Sequence, residues 1–166
     1  LIEIDGMFRS ISAFSSGIEV ERIIFPSVDK PFMCERYTIK NTNQRTATIY
    51  IPEFTQKQTT LPEKGVDGSY QLQASIQGAG TYQLKEGESV SFDVVVQSCK
   101  VTDTPIVADV DAEYQARRNF VENDMDSALV LETPDNVINT MFRHAKIRSS
   151  ESICKTSGGY MHAPGG

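Results

Sequence analysis

The sequence predicts a mainly β protein, an antiparallel β-sandwich followed by two C-terminal α-helices. Three observations carry that expectation. Through residues 1–100, apolar and polar residues alternate with period two in short runs, and Gly, Pro, Asn or Asp closes each run. No helical periodicity interrupts them. Past residue 101 the pattern changes to three- and four-residue spacing in two segments.

Met7 to Ser15 reads as a strand. Gly17 to Phe25 sets Ile18, Val20, Arg22 and Ile24 against Glu19, Glu21, Ile23 and Phe25, and Pro26 ends it. Phe32 to Asn41 places Met33, Glu35, Tyr37 and Ile39 on one face and Cys34, Arg36, Thr38 and Lys40 on the other. Asn41 to Gln44 is turn chemistry, and Thr46 to Glu53 returns with Ala47, Ile49 and Ile51 inward, so these two runs are expected to pair as a hairpin. Phe54 to Asp67 lacks alternation, carries Pro62 and Gly65, and reads as an exposed excursion. Tyr70, Leu72, Ala74 and Ile76 resume the strand pattern, followed by Tyr82 and Leu84 after a Gly78-Ala-Gly80 turn. Ser89 to Gln97, with Val90, Phe92, Val94 and Val96 in phase, is the clearest strand in the chain. Strands so spaced and joined by short turns are the mark of a sandwich.

Val101 to Val110, with Pro105, reads as a linker. Asp111 is expected to cap a helix running to about Met125, with Tyr114, Val121 and Met125 apolar among Arg117, Arg118, Glu122 and Asp124. Thr133 is the expected N-cap of a second helix, with Pro134 at its first position and Asp135 beside the positive end of the dipole. Ile138, Phe142, Ala145 and Ser149, flanked by Val137, Met141 and Ile153, form its apolar stripe. No Pro or Gly falls between Asn136 and Ser157, so the helix is expected to reach about Cys154 before Gly158 and Gly159 stop it. The domain division that follows is 1–100 sandwich, 101–130 linker and connecting helix, and 131–166 a further helix and loop.

A chain of 166 residues can bury a core of its own. Its net charge of −6 and the lack of any basic run argue against nucleic acid as a partner. No stretch approaches the roughly 18 apolar residues of a membrane span. The chain opens on Leu1 without an initiator Met, so a processed leader stays open. Three cysteines, Cys34, Cys99 and Cys154, form no CxxC pair and favour buried free thiols over one disulfide with a leftover or a metal site.

The last stretch also carries a resemblance. Leu131-Glu-Thr-Pro-Asp135, Asn139, Phe142, Ala145-Lys146, Glu151-Ser152-Ile153, Gly158-Gly159 and His162-Ala163-Pro164-Gly165-Gly166 resemble the entry into the catalytic barrel of six-hairpin glycoside hydrolases. Phe25-Pro26-Ser27-Val28-Asp29-Lys30-Pro31 and Glu35 to Asn41 resemble, more loosely, the sandwich that precedes that barrel. The resemblance implies a supersandwich-like domain joined by a polar helix to the first helix of a truncated α/α toroid. It implies a partner in the chain's own C-terminal barrel, and an oligosaccharide or polysaccharide substrate for the parent enzyme. It favours a periplasmic or extracellular location and implies no cofactor. The acid and base carboxylates of such enzymes come from later barrel segments, so the resemblance implies a non-catalytic N-terminal fragment.

Within the chain, Asp29, Glu35, Glu53, Glu132 and Asp135 each have a plainer role than the paired carboxylates that glycoside hydrolysis needs, and no catalytic residue is assigned. His144 lies beside the helix stripe and reads as a boundary histidine rather than a ligand. Tyr160, His162, Pro164, Gly165 and Gly166 are, by the resemblance, a loop bordering the sugar pocket. No nucleophile elbow, phosphate loop or zinc helix occurs. The rival expectation is a stand-alone carbohydrate-binding or lectin-like sandwich, disfavoured because the chain has no Trp. A protein adaptor is a third. Whatever the class, an exposed stripe of Val137, Met141 and Phe142 would dock, fray or pair two copies as a dimer.

Overall fold

The structure is a computed structural model describing residues 1–65, 68–156 and 158–163. Among the described residues it is mainly β, with one large antiparallel sheet, two two-stranded sheets and two helices, and it divides into two compact units, 1–117 and 118–166.

The first unit is built on a seven-stranded sheet and a two-stranded one. In chain order the strands of the unit are β1 (Ile2–Ile4), β2 (Phe8–Phe14), β3 (Ile18–Pro26), β4 (Phe32–Asn41), β5 (Ala47–Ile51), β6 (Thr55–Thr59), β7 (Tyr70–Gln77), β8 (Gly80–Leu84) and β9 (Ser89–Lys100). The large sheet runs β1-β2-β3-β4-β9-β7-β6, and β5 and β8 pair apart from it as the second layer. A helix, α1 (Val110–Asn119), follows.

The expected hairpin between Phe32 to Asn41 and Thr46 to Glu53 does not form. β4 pairs with β3 and β9, while β5 pairs with β8, Ala47 opposite Leu84 and Ile51 opposite Gly80. Asn41 redirects the chain: its fully buried amide donates to the Arg45 and Leu84 carbonyls, both at 2.8 Å, and its Oδ1 accepts from Asn43 N. A buried amide so engaged fixes both the turn and its partner across the layers. Phe54 to Asp67 is likewise not a bare excursion, since Thr55–Thr59 is an edge strand on β7. All five of its residues are exposed, so no alternation was needed to specify it. Val66 and Asp67 lie outside the described residues.

Register shows which face holds the core. Phe25 stands opposite Cys34, and Cys34 opposite Val95; with Phe32, Ala108 and Val110 they make one buried cluster, against which Met7, Ile23 and Tyr114 pack. This is the face opposite Tyr37, Phe92 and Val94, the residues whose alternation is clearest in the sequence. Helix α1 decides the matter by laying Val110 and Tyr114 over it, the Tyr114 ring edge-on to Phe25 at 5.5 Å. Each side chain so buried contributes about 1.5 to 3 kcal/mol.

Ion pairs fix the helix as well. Lys30 Nζ lies 2.5 Å from the Glu113 carboxylate, and Arg36 reaches Asp93 at 2.8 Å and Asp111 at 2.7 Å. Arg117 donates twice to the Gly6 carbonyl, at 2.6 and 3.0 Å. The N-cap is Asp109 rather than the expected Asp111: its Oδ1 accepts from Ala112 N at 3.1 Å, which leaves Asp111 free to turn toward Arg36.

Candidate functional site

Tyr160, His162 and His144, singled out by sequence, fall in the second unit. There α1 passes into a π-helical segment, Phe120–Met125, and after an irregular stretch comes helix α2 (Asn136–Glu151). Its N-cap is Asp135, whose carboxylate accepts from Val137 N at 2.8 Å, in place of the expected Thr133. Thr133 braces the first turn instead, its hydroxyl and backbone N–H both donating to Asn139 Oδ1 at 2.9 Å.

The helix ends earlier than its composition suggests. Cys154 does not lie in the helix, because Ile153–Thr156 (β10) turns through Gly159 into Gly159–His162 (β11) as a hairpin. Gly159 takes φ +118°, which a side chain would strain, and Thr156 Oγ1 closes the turn by donating to the Gly159 carbonyl at 2.8 Å. Alternation over so few residues is too short to tell from a fraying helix.

The hairpin sets Tyr160 and His162 on one face of β11, with Met161 on the other. Tyr160 is 77% exposed. His162 Nε2 lies 2.7 Å from the Ser152 hydroxyl, which also donates to the Ser149 carbonyl, so the imidazole is held at the C-terminal end of α2. Pro164, Gly165 and Gly166 lie outside the described residues. An aromatic ring and an oriented imidazole can stack on and hydrogen-bond to a polyhydroxylated ligand.

No model of a known protein family matches the chain, and no curated protein matches it.

Cavities border α2. One of about 370 Å³ holds Asp126, Glu132, Asn139, Arg143 and Lys146. Arg143 forks onto Asp126 at 2.7 and 2.9 Å, while Lys146 donates to the Met125 carbonyl at 2.6 Å and sits 5.8 Å from the centre of the Phe142 ring. A groove of about 490 Å³ runs past Leu129, Phe142, Ala145, Ile153 and His162. Another, about 520 Å³, follows Val137, Met141, Ala145 and Arg148, with His144 half-buried at its edge.

The carboxylates are dispersed. Glu35 accepts from Arg22 at 2.7 Å and from the Tyr37 hydroxyl at 2.8 Å, Asp135 caps α2, Glu132 lines the charged cavity, and Asp29 and Glu53 are exposed. Burial pushes the Glu113 carboxyl up, but hydrogen bonds from Lys30 and Ser27 outweigh it and hold the group below its ordinary value. A general acid needs the opposite shift. Among the described residues, no three His, Cys, Asp or Glu side chains converge as a metal site, and no helix is long and apolar enough to cross a membrane.

One ordered group escaped the sequence reading. On the sheet face away from α1, the Tyr37 and Phe92 rings stack 4.9 Å apart, Arg22 lies 5.5 Å from the Tyr37 ring centre, and Glu35 bridges Arg22 to the Tyr37 hydroxyl. The available signal was the pairing of Arg22 and Phe92 with Tyr37 across two strand registers, which requires knowing which strands are neighbours. Its polar atoms satisfy one another, so it reads as a cross-strand clamp.

Proposed function

We propose that this chain is the non-catalytic N-terminal part of a glycoside hydrolase. Its β-rich unit supports an α/α barrel that hydrolyses glycosidic bonds in an oligosaccharide or polysaccharide. The observation that carries the reading is the state of α2. Apolar grooves of about 490 and 520 Å³ lie open along two flanks of this one helix, where a helix in a toroid would meet its neighbours. The resemblance of residues 131–166 to a barrel entry points the same way. The scattered carboxylates, and a Glu113 shifted away from acid function, are in keeping with chemistry placed elsewhere in the parent.

In this reading the chain's own barrel is its partner, and Tyr160, His162, Pro164, Gly165 and Gly166 stand at the rim of the sugar pocket. The test is the intact mass of the native polypeptide in its source cells. A chain far heavier than 18.4 kDa that hydrolyses aryl glycosides, beside an inert 166-residue piece, supports the proposal. A native mass equal to this chain overturns it. So does hydrolysis by the piece that disappears when one of its own carboxylates is replaced.

A further inference from the structure

The cavity of about 370 Å³ beside α2 carries charges of both signs that are not spent on one another. Arg143 and Asp126 are, in a forked pair that occupies both carboxylate oxygens. Lys146 and Glu132 remain. The Lys146 ammonium gives one proton to the Met125 carbonyl at 2.6 Å and lies 5.8 Å from the centre of the Phe142 ring. Met125 ends the π-helical segment Phe120–Met125, where carbonyls lack an intrahelical donor and the backbone departs from regular helix, as it often does at functional sites. The contact therefore holds a half-buried lysine in place, with no acceptor among the described residues for its other two protons. Glu132 lines the same cavity and has no ion pair among the described residues. Leu131 and Phe142 give the cavity an apolar wall.

These groups select a ligand by its charge. With Arg143 and Lys146 against Asp126 and Glu132, the lining is neutral overall, so an inorganic anion drawn to Lys146 would also meet two carboxylates. A neutral polyol would leave Lys146 and Glu132 each without a counter-charge. A small molecule that bears a carboxylate, an ammonium and an aliphatic branch matches all three features. The volume lies within the range of small-molecule sites, about 300 to 1,000 Å³.

We propose that this cavity binds a free α-amino acid with an aliphatic side chain, its carboxylate on Lys146, its ammonium on Glu132 and its side chain against Leu131 and Phe142. The proposal is independent of the glycoside hydrolase reading. Titration of the 166-residue chain with L-leucine, followed by amide NMR, should give saturable shifts confined to residues around Leu131, Phe142 and Lys146. Glu132→Gln, at an exposed position, and Lys146→Met should each raise Kd about tenfold, with circular dichroism unchanged. Ligand analogues separate the two contacts. Leucinamide, which lacks the carboxylate, should bind more weakly and be indifferent to Lys146→Met. N-acetyl-leucine, which lacks the ammonium, should be indifferent to Glu132→Gln. No saturable shift with L-leucine, an affinity unchanged by Glu132→Gln, or saturation by phosphate or glucose in place of L-leucine would each overturn the proposal.

Discussion

Glu113 is 2% exposed and holds α1 through one short contact to Lys30, whose side chain is 42% exposed. Replacing it with Gln removes the charge-assisted bond, and Lys30 can rehydrate, so the expected loss is about 1 to 3 kcal/mol, read by urea unfolding. The pH dependence follows from the sign of its shift. Because the folded-state pKa lies below the unfolded value, the stabilisation is complete above about pH 4.3 and disappears as pH falls through the folded value. Glu113→Gln should therefore flatten the acid limb of the stability curve. Cys34, fully buried, has its thiol pushed up to about 11, chiefly by burial, while Cys154 is exposed. An aromatic disulfide reagent at neutral pH should label Cys154 at once and Cys34 only after unfolding. The spacing predicts buried free thiols, which holds for Cys34 but not for Cys154, exposed on a four-residue strand too short to be read from sequence.

Helices and strands differ in how much of themselves they announce. β3 and β4 were legible nearly to the residue, because each alternates over a long run and ends in Pro26 or in the Asn41 turn. β6 was missed because neither of its faces is apolar, and β10 and β11 because four residues hold too little periodicity. The cap of α2 shows the same limit on a smaller scale. Thr133 and Asp135 are both good caps, and the choice fell to Asp135 because Asn139 engages Thr133. Asp135→Ala should cost about 1 kcal/mol of local stability, seen as faster amide exchange in the first turn of α2. Tyr114→Ala, which strips the ring from Phe25, should destabilise the sheet unit by about 2 to 4 kcal/mol in chemical unfolding.

At the scale of the whole chain the two units have different reserves. The first has a buried cluster of Phe25, Phe32, Cys34, Val95, Ala108 and Val110 fixed by long-range strand pairing. The second leaves Leu129, Val130, Val137, Met141 and Tyr160 more than half exposed. Calorimetry should accordingly show a cooperative transition for residues 1–117, with 118–166 losing its structure at lower temperature. By itself the sequence determined the β class, most strand positions, the presence of two helices after the strands and the apolar residues of α2, because these depend on local periodicity and on turn residues. It also marked Tyr160 and His162, though not the hairpin that sets them on one face. Only the tertiary structure decided that β5 pairs with β8 rather than β4, that the core lies on the Cys34 and Val95 face, and that α2 turns its stripe outward. Strand partners and buried faces are chosen by the total area covered across the fold, a quantity that no local window of residues contains.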